Sequence, residues 1–138
     1  MTYALSRLMS TATLSYGAYS LADPRHLGRF LTGDGKDQGR YDVLAQSYGA
    51  RDVAVSLLGM VGSERTVRAS MLIRIACDIS DGLLLANRTK DEDTRTMLLG
   101  ATFGWAALNA VALRIDRRRA KRRRAEGAAV VVPVERYA

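Results

Sequence analysis

Charged residues recur at helical spacing in two apolar segments of the chain. Arg74, Asp78 and Asp81 stand at positions i, i+4 and i+7, which places them within roughly 60° of one another on one face of a helix. Arg51 and Asp52 are adjacent in the preceding apolar segment. A carboxylate next to a guanidinium can form an ion pair, whereas a buried carboxylate without a partner takes up a proton and can act as a general acid or base. These five residues form a candidate polar cluster.

The charges of this cluster do not balance, because two are positive and three are negative. We therefore expect either Asp78 or Asp81 to be neutral at pH 7. One interpretation is an interhelical ion-pair network that fixes helix register. The other is a polar pocket in which Asp78 and Asp81 are the candidate catalytic acid and base. In that pocket the candidate ligand-binding residues are Arg51, Asp52, Arg74 and Asn109.

The longest uncharged run leads directly into a basic block. Residues 96–113 read TMLLGATFGWAALNAVAL, eighteen residues without a charge, which is long enough to cross a hydrocarbon core of roughly 30 Å as a helix. The next eleven residues read RIDRRRAKRRR. An uncharged run that ends in arginines is typical of a spanning helix with a cytoplasmic end. The alternative is a central helix of a soluble bundle with a basic tail.

The net charge of +7 comes from this block. Residues 114–124 carry eight basic groups and one acid, whereas residues 1–113 carry twelve basic and eleven acidic groups. Such a block favours the anionic headgroups of a membrane. Nucleic-acid binding is the weaker hypothesis, because no aromatic platform or recognition helix accompanies the block. The candidate lipid-binding residues are Arg117, Arg118, Arg119, Lys121, Arg122, Arg123 and Arg124.

Three further segments have helical composition. They cover about residues 3–22, 41–61 and 68–86, and a loop is expected over 23–40 because Pro24 and four glycines lie there. We therefore predict an all-α fold, a four-helix transmembrane bundle with antiparallel up-down topology. This membrane domain covers 1–116, and 117–138 is a basic, disordered tail. The predicted location is the cell membrane, multi-pass, with a cytoplasmic C-terminus.

The positive-inside rule supports that orientation only through the basic block. Without it, three basic residues lie on the inner side and seven on the outer side, which opposes the rule. Three spans with one surface-lying helix therefore remain an alternative. Gly100 and Gly104 form a Gly-x-x-x-Gly motif, which predicts close packing against another helix within the bundle, or less favourably in a helix–helix partner.

Cofactor sites are not predicted from this sequence. It holds one cysteine, Cys77, and one histidine, His26, so no zinc site of cysteine and histidine ligands can form. No phosphate-binding Gly-x-x-x-x-Gly-Lys-Ser/Thr motif and no His-Glu-x-x-His motif occurs. We therefore predict no metal and no cofactor.

The segment from Gly49 to Gly59, GARDVAVSLLG, followed a helix later by Arg74 and Asp78, resembles a known family. It is similar to small four-helix membrane proteins of the DoxX-like superfamily, over about residues 3–115. The resemblance implies a four-span helical bundle and brings little function with it. Some relatives are associated with quinone-linked or thiol-redox complexes, and a single Cys77 supplies no redox dithiol.

Three functions follow from these features. The first is a ligand-binding or accessory membrane protein whose partners are the lipid bilayer and a lipophilic small molecule. The second is a small membrane enzyme of the isomerase, cyclase or hydrolase type, in which Asp78 or Asp81 is the acid or base and Arg51 or Arg74 holds a substrate oxygen. The third is a soluble helical protein that binds nucleic acid through its arginines.

Overall fold

The computed structural model describes residues 2–32 and 38–130, and it contains five helices in that part of the chain. They are α1 (Ala4–Ala22), α2 (Arg25–Thr32), α3 (Gln38–Val61), α4 (Glu64–Arg88) and α5 (Glu92–Val130). Side-chain hydrogen bonds to backbone amides mark the beginnings of α4 and α5. Ser63 caps α4, since its Oγ accepts a hydrogen bond from the Thr66 amide. The Asp91 carboxylate accepts one from the Thr94 amide at 2.8 Å at the start of α5.

The four long helices alternate in direction. Arg51 on α3 contacts Asp81 on α4, and Arg124 near the end of α5 contacts Glu64 at the start of α4, so each of these pairs is antiparallel. In the same way, Arg7 near the start of α1 donates to the carbonyl of Gly62, just after α3. The closest partners are α1 with α3 and α4 with α5.

The loop predicted over 23–40 contains a helix instead. α2 packs on α3, and its buried Leu27 belongs to an apolar cluster with Ala45, Leu85 and Leu98. Its glycine lowers helix propensity, but burial of Leu27 in a cluster whose other members lie on α3, α4 and α5 offsets that cost. This correction matters for function, because α2 covers one end of the bundle.

Small residues set the closest helix contacts, at positions other than the predicted motif. A Cβ atom built on Gly17 would lie 3.0 Å from the Gly49 carbonyl oxygen, and one on Gly59 would crowd the Ser10 hydroxyl. A Cβ on Gly100 or Gly104 would meet nothing within 4 Å. The Gly-x-x-x-Gly motif therefore lies at no close helix contact in the described part of the chain, and the prediction of close packing there within the bundle is wrong.

The interior contains buried polar groups beside its two apolar clusters, and the outer faces carry many exposed apolar side chains. Ser6, Ser10, Ser56 and Asn109 are fully buried, and the amide of Ser6 donates to the buried carboxylate of Asp116 at 2.7 Å. The outward faces of the long helices carry exposed apolar side chains, which include Leu8, Leu57, Leu58, Leu72, Ile73, Leu83, Leu84, Leu108 and Val111. Buried polar groups and exposed apolar patches are the informative exceptions in a water-soluble domain, and this bundle has both.

The all-α class is confirmed, but the prediction of four membrane-spanning helices is wrong. Among the described residues, α5 alone is long and apolar enough to cross a membrane. Arg74, Asp78 and Asp81 lie in the middle of α4, and Arg51 and Asp52 lie in α3, so the composition of these helices differs from that of a spanning helix. With one candidate span among the described residues, the prediction of a multi-pass membrane protein and the alternative of three spans are wrong as well.

A core helix of a soluble protein can be equally long and apolar, but it is mostly buried. In α5, only 28% of the most apolar 18-residue stretch is buried. It also continues as one helix through the basic block to Val130. The block is thus part of α5 and not a separate segment. Residues 131–138 lie outside the described part of the chain, and so does the prediction of disorder there.

Candidate functional site

A cavity of about 620 Å³ lies between all five helices. Its wall includes aromatic side chains, Tyr16, Phe30, Tyr48 and Trp105, together with the carboxyl group of Asp78. The volume falls in the range of about 300 to 1,000 Å³ that is usual for small-molecule sites. Apolar walls with a few polar groups suit a lipophilic ligand with one polar end.

Arg51 is held rigidly at one side of this cavity. Its guanidinium donates to both oxygens of Asp81, with Nη2 to Oδ2 at 2.6 Å and Nη1 to Oδ1 at 3.2 Å. Nε and Nη2 also donate to Asp52 Oδ1 at 3.2 and 3.0 Å. The Tyr48 ring lies 5.1 Å from the guanidinium carbon, a cation–π distance. Arg51 therefore links α3 to α4 and has no nitrogen left without a contact.

Asp78 is the carboxyl group in the cavity that is free to react. Its Oδ2 is buried and has no hydrogen-bond partner within the described residues. Burial, and then the negative charge of Asp52, raise the pKa of Asp78 to about 7. At neutral pH this carboxyl can therefore donate or accept a proton. Both oxygens of Asp81, in contrast, accept hydrogen bonds from Arg51.

Arg74 lies deeper in the bundle than the sequence suggests. It is 3% exposed, and its Nη2 donates to the Ser56 hydroxyl at 2.7 Å. Nε and Nη1 have no partner in the part of the chain that the structure describes. The described lining of the cavity does not include Arg74. Its position between α3 and α4 fits a helix-packing role better than direct ligand contact.

Asn109 supports the cavity wall from behind. Its Nδ2 donates to the backbone carbonyl of Trp105 at 2.9 Å, and its Oδ1 has no partner among residues 2–32 and 38–130. The Trp105 indole donates to the Thr13 hydroxyl at 3.1 Å. Asn109 is thus not brought to the Arg/Asp cluster.

The predicted lipid-binding residues, 117–119 and 121–124, are all exposed on α5. Arg124 also donates to Glu64 at 2.7 Å. These residues surround the end of the helix far from the cavity.

The aromatic and histidine contributions to the cavity were not predicted. Tyr16 lies in the wall, where its hydroxyl is 3.2 Å from His26 Nε2. His26 and Phe30 come from α2, the helix that replaces the expected loop. Tyr48 precedes Arg51 by three residues, a helical spacing that could have identified it.

No protein-family model, curated protein or solved structure matches this chain. The resemblance to the DoxX-like superfamily stays a prediction.

Proposed function

We propose that this chain is a membrane-associated protein that binds a lipophilic small molecule in the cavity between its five helices. The observation that carries this proposal is a cavity wall rich in aromatic side chains with a buried carboxyl oxygen, Asp78 Oδ2, that has no hydrogen-bond partner in the described part of the chain. Such a combination provides apolar contact area and one polar group that fixes orientation.

The charge of the lining favours a ligand with a hydrogen-bond donor or a cation. Three carboxyl groups, Asp52, Asp78 and Asp81, face one guanidinium, Arg51. Arg51 is occupied by Asp52 and Asp81, so Asp78 is available to a protonated amine. The aromatic side chains Tyr16 and Trp105 can contact the same cation through their ring faces.

Membrane association is supported by α5 and by the exposed apolar side chains. α5 carries the uncharged run followed by the arginines. Basic residues next to a span favour the cytoplasmic side, so the proposal places the C-terminal end of α5 in the cytoplasm, at the anionic headgroups.

Trp105 gives a direct test, because it is the single tryptophan of the chain and lines the cavity. Its fluorescence would be recorded on the detergent-solubilised protein during titration with decylamine, decanol and decanoate. We expect a saturable change, with decylamine binding roughly tenfold more tightly than decanoate, because like charges repel in a desolvated site.

Two matched variants test whether the change in fluorescence comes from binding in the cavity. Ala101 and Ala107 are both exposed alanines of α5, and of the two only Ala101 lines the cavity. Ala101→Phe should weaken decylamine binding, whereas Ala107→Phe should leave it unchanged. Equal effects of the two substitutions, or no saturable change with any probe, would refute binding in this cavity.

Acid–base catalysis at Asp78 is the second candidate function. The unpartnered Oδ2 and the pKa near 7 favour it. Lipid extract incubated with the protein would be analysed by mass spectrometry for a product that wild type forms and Asp78→Asn does not. If decylamine still binds and no product appears, the protein is a binder and not an enzyme.

A further inference from the structure

A second concavity lies at the other end of α4 and α5. It has a volume of about 690 Å³ and two kinds of lining. Its floor is apolar and consists of Leu72 and Ile75 from α4 with Ala110 and Leu113 from α5. We call it the basic groove, because its rim is formed by Arg68 of α4 and by Arg114, Arg117, Arg118, Lys121 and Arg124 of α5.

The basic block divides into two faces of α5. Arg114, Arg117, Arg118 and Lys121 follow the spacing i, i+3, i+4 and i+7 and all line the groove, as one helical face requires. The remaining basic residues of the block, Arg119, Arg122 and Arg123, do not line it. Two sets of three charges therefore differ in their access to the groove: Arg117, Arg118 and Lys121 line it, and Arg119, Arg122 and Arg123 do not.

We propose that the basic groove binds one acidic phospholipid, with its phosphate among the arginines and the first part of an acyl chain on the apolar floor. Guanidinium groups bind phosphate oxygens through paired hydrogen bonds. Arg124 on the rim is paired with Glu64 of α4, and the other five basic rim residues give the groove its positive charge. The apolar floor next to that rim matches an amphiphile whose anionic and hydrocarbon parts are joined.

The apolar floor favours a phospholipid over a free phosphate as the occupant of the basic groove. A small anion would contact the rim alone and would leave Leu72, which is 55% exposed, in contact with water. An acyl chain covers Leu72 and Ile75 and gains the free energy of apolar burial. The position of the groove, where the uncharged run of α5 meets its arginines, is where a headgroup lies beside a membrane helix.

This proposal goes beyond ligand binding in the cavity and uses no residue of its wall. The two can therefore fail separately. Loss of decylamine binding would leave the groove untouched, and the lipid measurement below does not depend on Trp105.

The test compares two triple variants of the full chain in a nonionic detergent. Arg117→Gln, Arg118→Gln and Lys121→Gln remove three charges from the groove, and Arg119→Gln, Arg122→Gln and Arg123→Gln remove three from the other face. Dioleoyl phosphatidylglycerol or dioleoyl phosphatidylcholine would be added, and the retained lipid would be counted by native mass spectrometry. All six side chains are exposed, and circular dichroism would verify that both variants stay helical.

We expect the groove variant to retain phosphatidylglycerol roughly tenfold less than wild type, close to the level of phosphatidylcholine. The control variant should retain it within about twofold of wild type. Equal losses in the two variants would mean diffuse attraction to the block, and no loss in either would mean that the groove is empty of lipid. Either result overturns the proposal.

The apolar floor is tested by Leu72→Gln and by competition. Leu72→Gln should lower retention of phosphatidylglycerol while all arginines stay in place. Glycerophosphoglycerol, which carries the same phosphodiester headgroup and single negative charge without acyl chains, should not displace the lipid at equal concentration. Displacement at that concentration, or full retention in Leu72→Gln, would reduce the site to one for phosphate alone and would contradict the assignment.

Discussion

At the scale of single residues, the cavity contains carboxyl groups in two states of pairing. Asp81 accepts from Arg51 through both oxygens, and this contact stabilises its charge. Asp78 Oδ2 is buried without a partner in the described chain. Since an unpaired buried charge is costly, the protonated form of Asp78 is favoured in the folded protein.

The pH dependence of stability should therefore reveal Asp78. The pKa of its carboxyl is about 7 in the folded protein and about 3.9 in an unfolded chain. Between these values the folded state binds a proton that the unfolded state does not, so wild type loses stability as pH rises from about 4 to about 7. Asp78→Asn should lack this decrease and be more stable than wild type near pH 8. Thermal unfolding of wild type and Asp78→Asn at about pH 5 and 8 measures how the stability of each protein changes with pH. An equal change in the two proteins would contradict the prediction.

Arg51 should be the most sensitive member of the cluster. Its side chain is 27% exposed, and those of Asp52 and Asp81 are 14% exposed. Arg51→Gln leaves two largely buried carboxylates without their counterion and should cost about 2 to 4 kcal/mol of unfolding free energy. The double variant Arg51→Gln with Asp81→Asn should recover part of that loss. Denaturant unfolding measures all three proteins, and a double variant no more stable than the single one would argue against the pairing.

At the scale of elements, the bundle depends on glycines where helices touch. A Cβ on Gly49 would lie 2.9 Å from the Gly17 carbonyl oxygen, which belongs to the backbone of α1. A backbone atom cannot rotate away, so α1 and α3 would have to separate. Gly104 lies on an open face of α5 and has no such neighbour.

Two alanine substitutions separate these roles. Gly49→Ala should destabilise the protein by about 1 to 3 kcal/mol through overpacking. Gly104→Ala should stabilise it by up to about 1 kcal/mol, because alanine has the higher helix propensity. Denaturant midpoints compare the two directly. Stabilisation by Gly49→Ala would show that α1 and α3 are farther apart than the structure places them.

The sequence predicted helices that depend on local composition and missed contacts that depend on packing. The break at Pro24 and the apolar runs located α1, α3 and α4 within a few residues. α2 was missed because its stability comes from Leu27 against other helices. Helical spacing placed Asp78 and Asp81 on one face but could not say which would reach Arg51, since that depends on how α4 is rotated against α3.

At the scale of the whole molecule, polar side chains share the interior with two apolar clusters, and apolar side chains also lie on the outer faces of the helices. Ser6, Ser10 and Ser56 are buried, whereas Leu57, Leu72 and Leu108 are exposed. Large exposed apolar areas mark contact with a membrane or a partner. Among the described residues, α5 alone is long and apolar enough to cross a membrane.

The behaviour of the intact protein in membranes tests this organisation. We expect membranes from expressing cells to keep the protein through washes with high salt and with carbonate, and to release it in detergent. Leu108 lies on the exposed face of α5 within the uncharged run, and Leu108→Arg should lower the carbonate-resistant fraction, since an arginine deep in a bilayer costs about 2.5 to 3.5 kcal/mol. Ala125→Arg, on the same helix beyond the basic block, should leave that fraction unchanged. Release of wild type by salt alone would mean that the arginines hold the protein at the surface by charge and that α5 is not inserted.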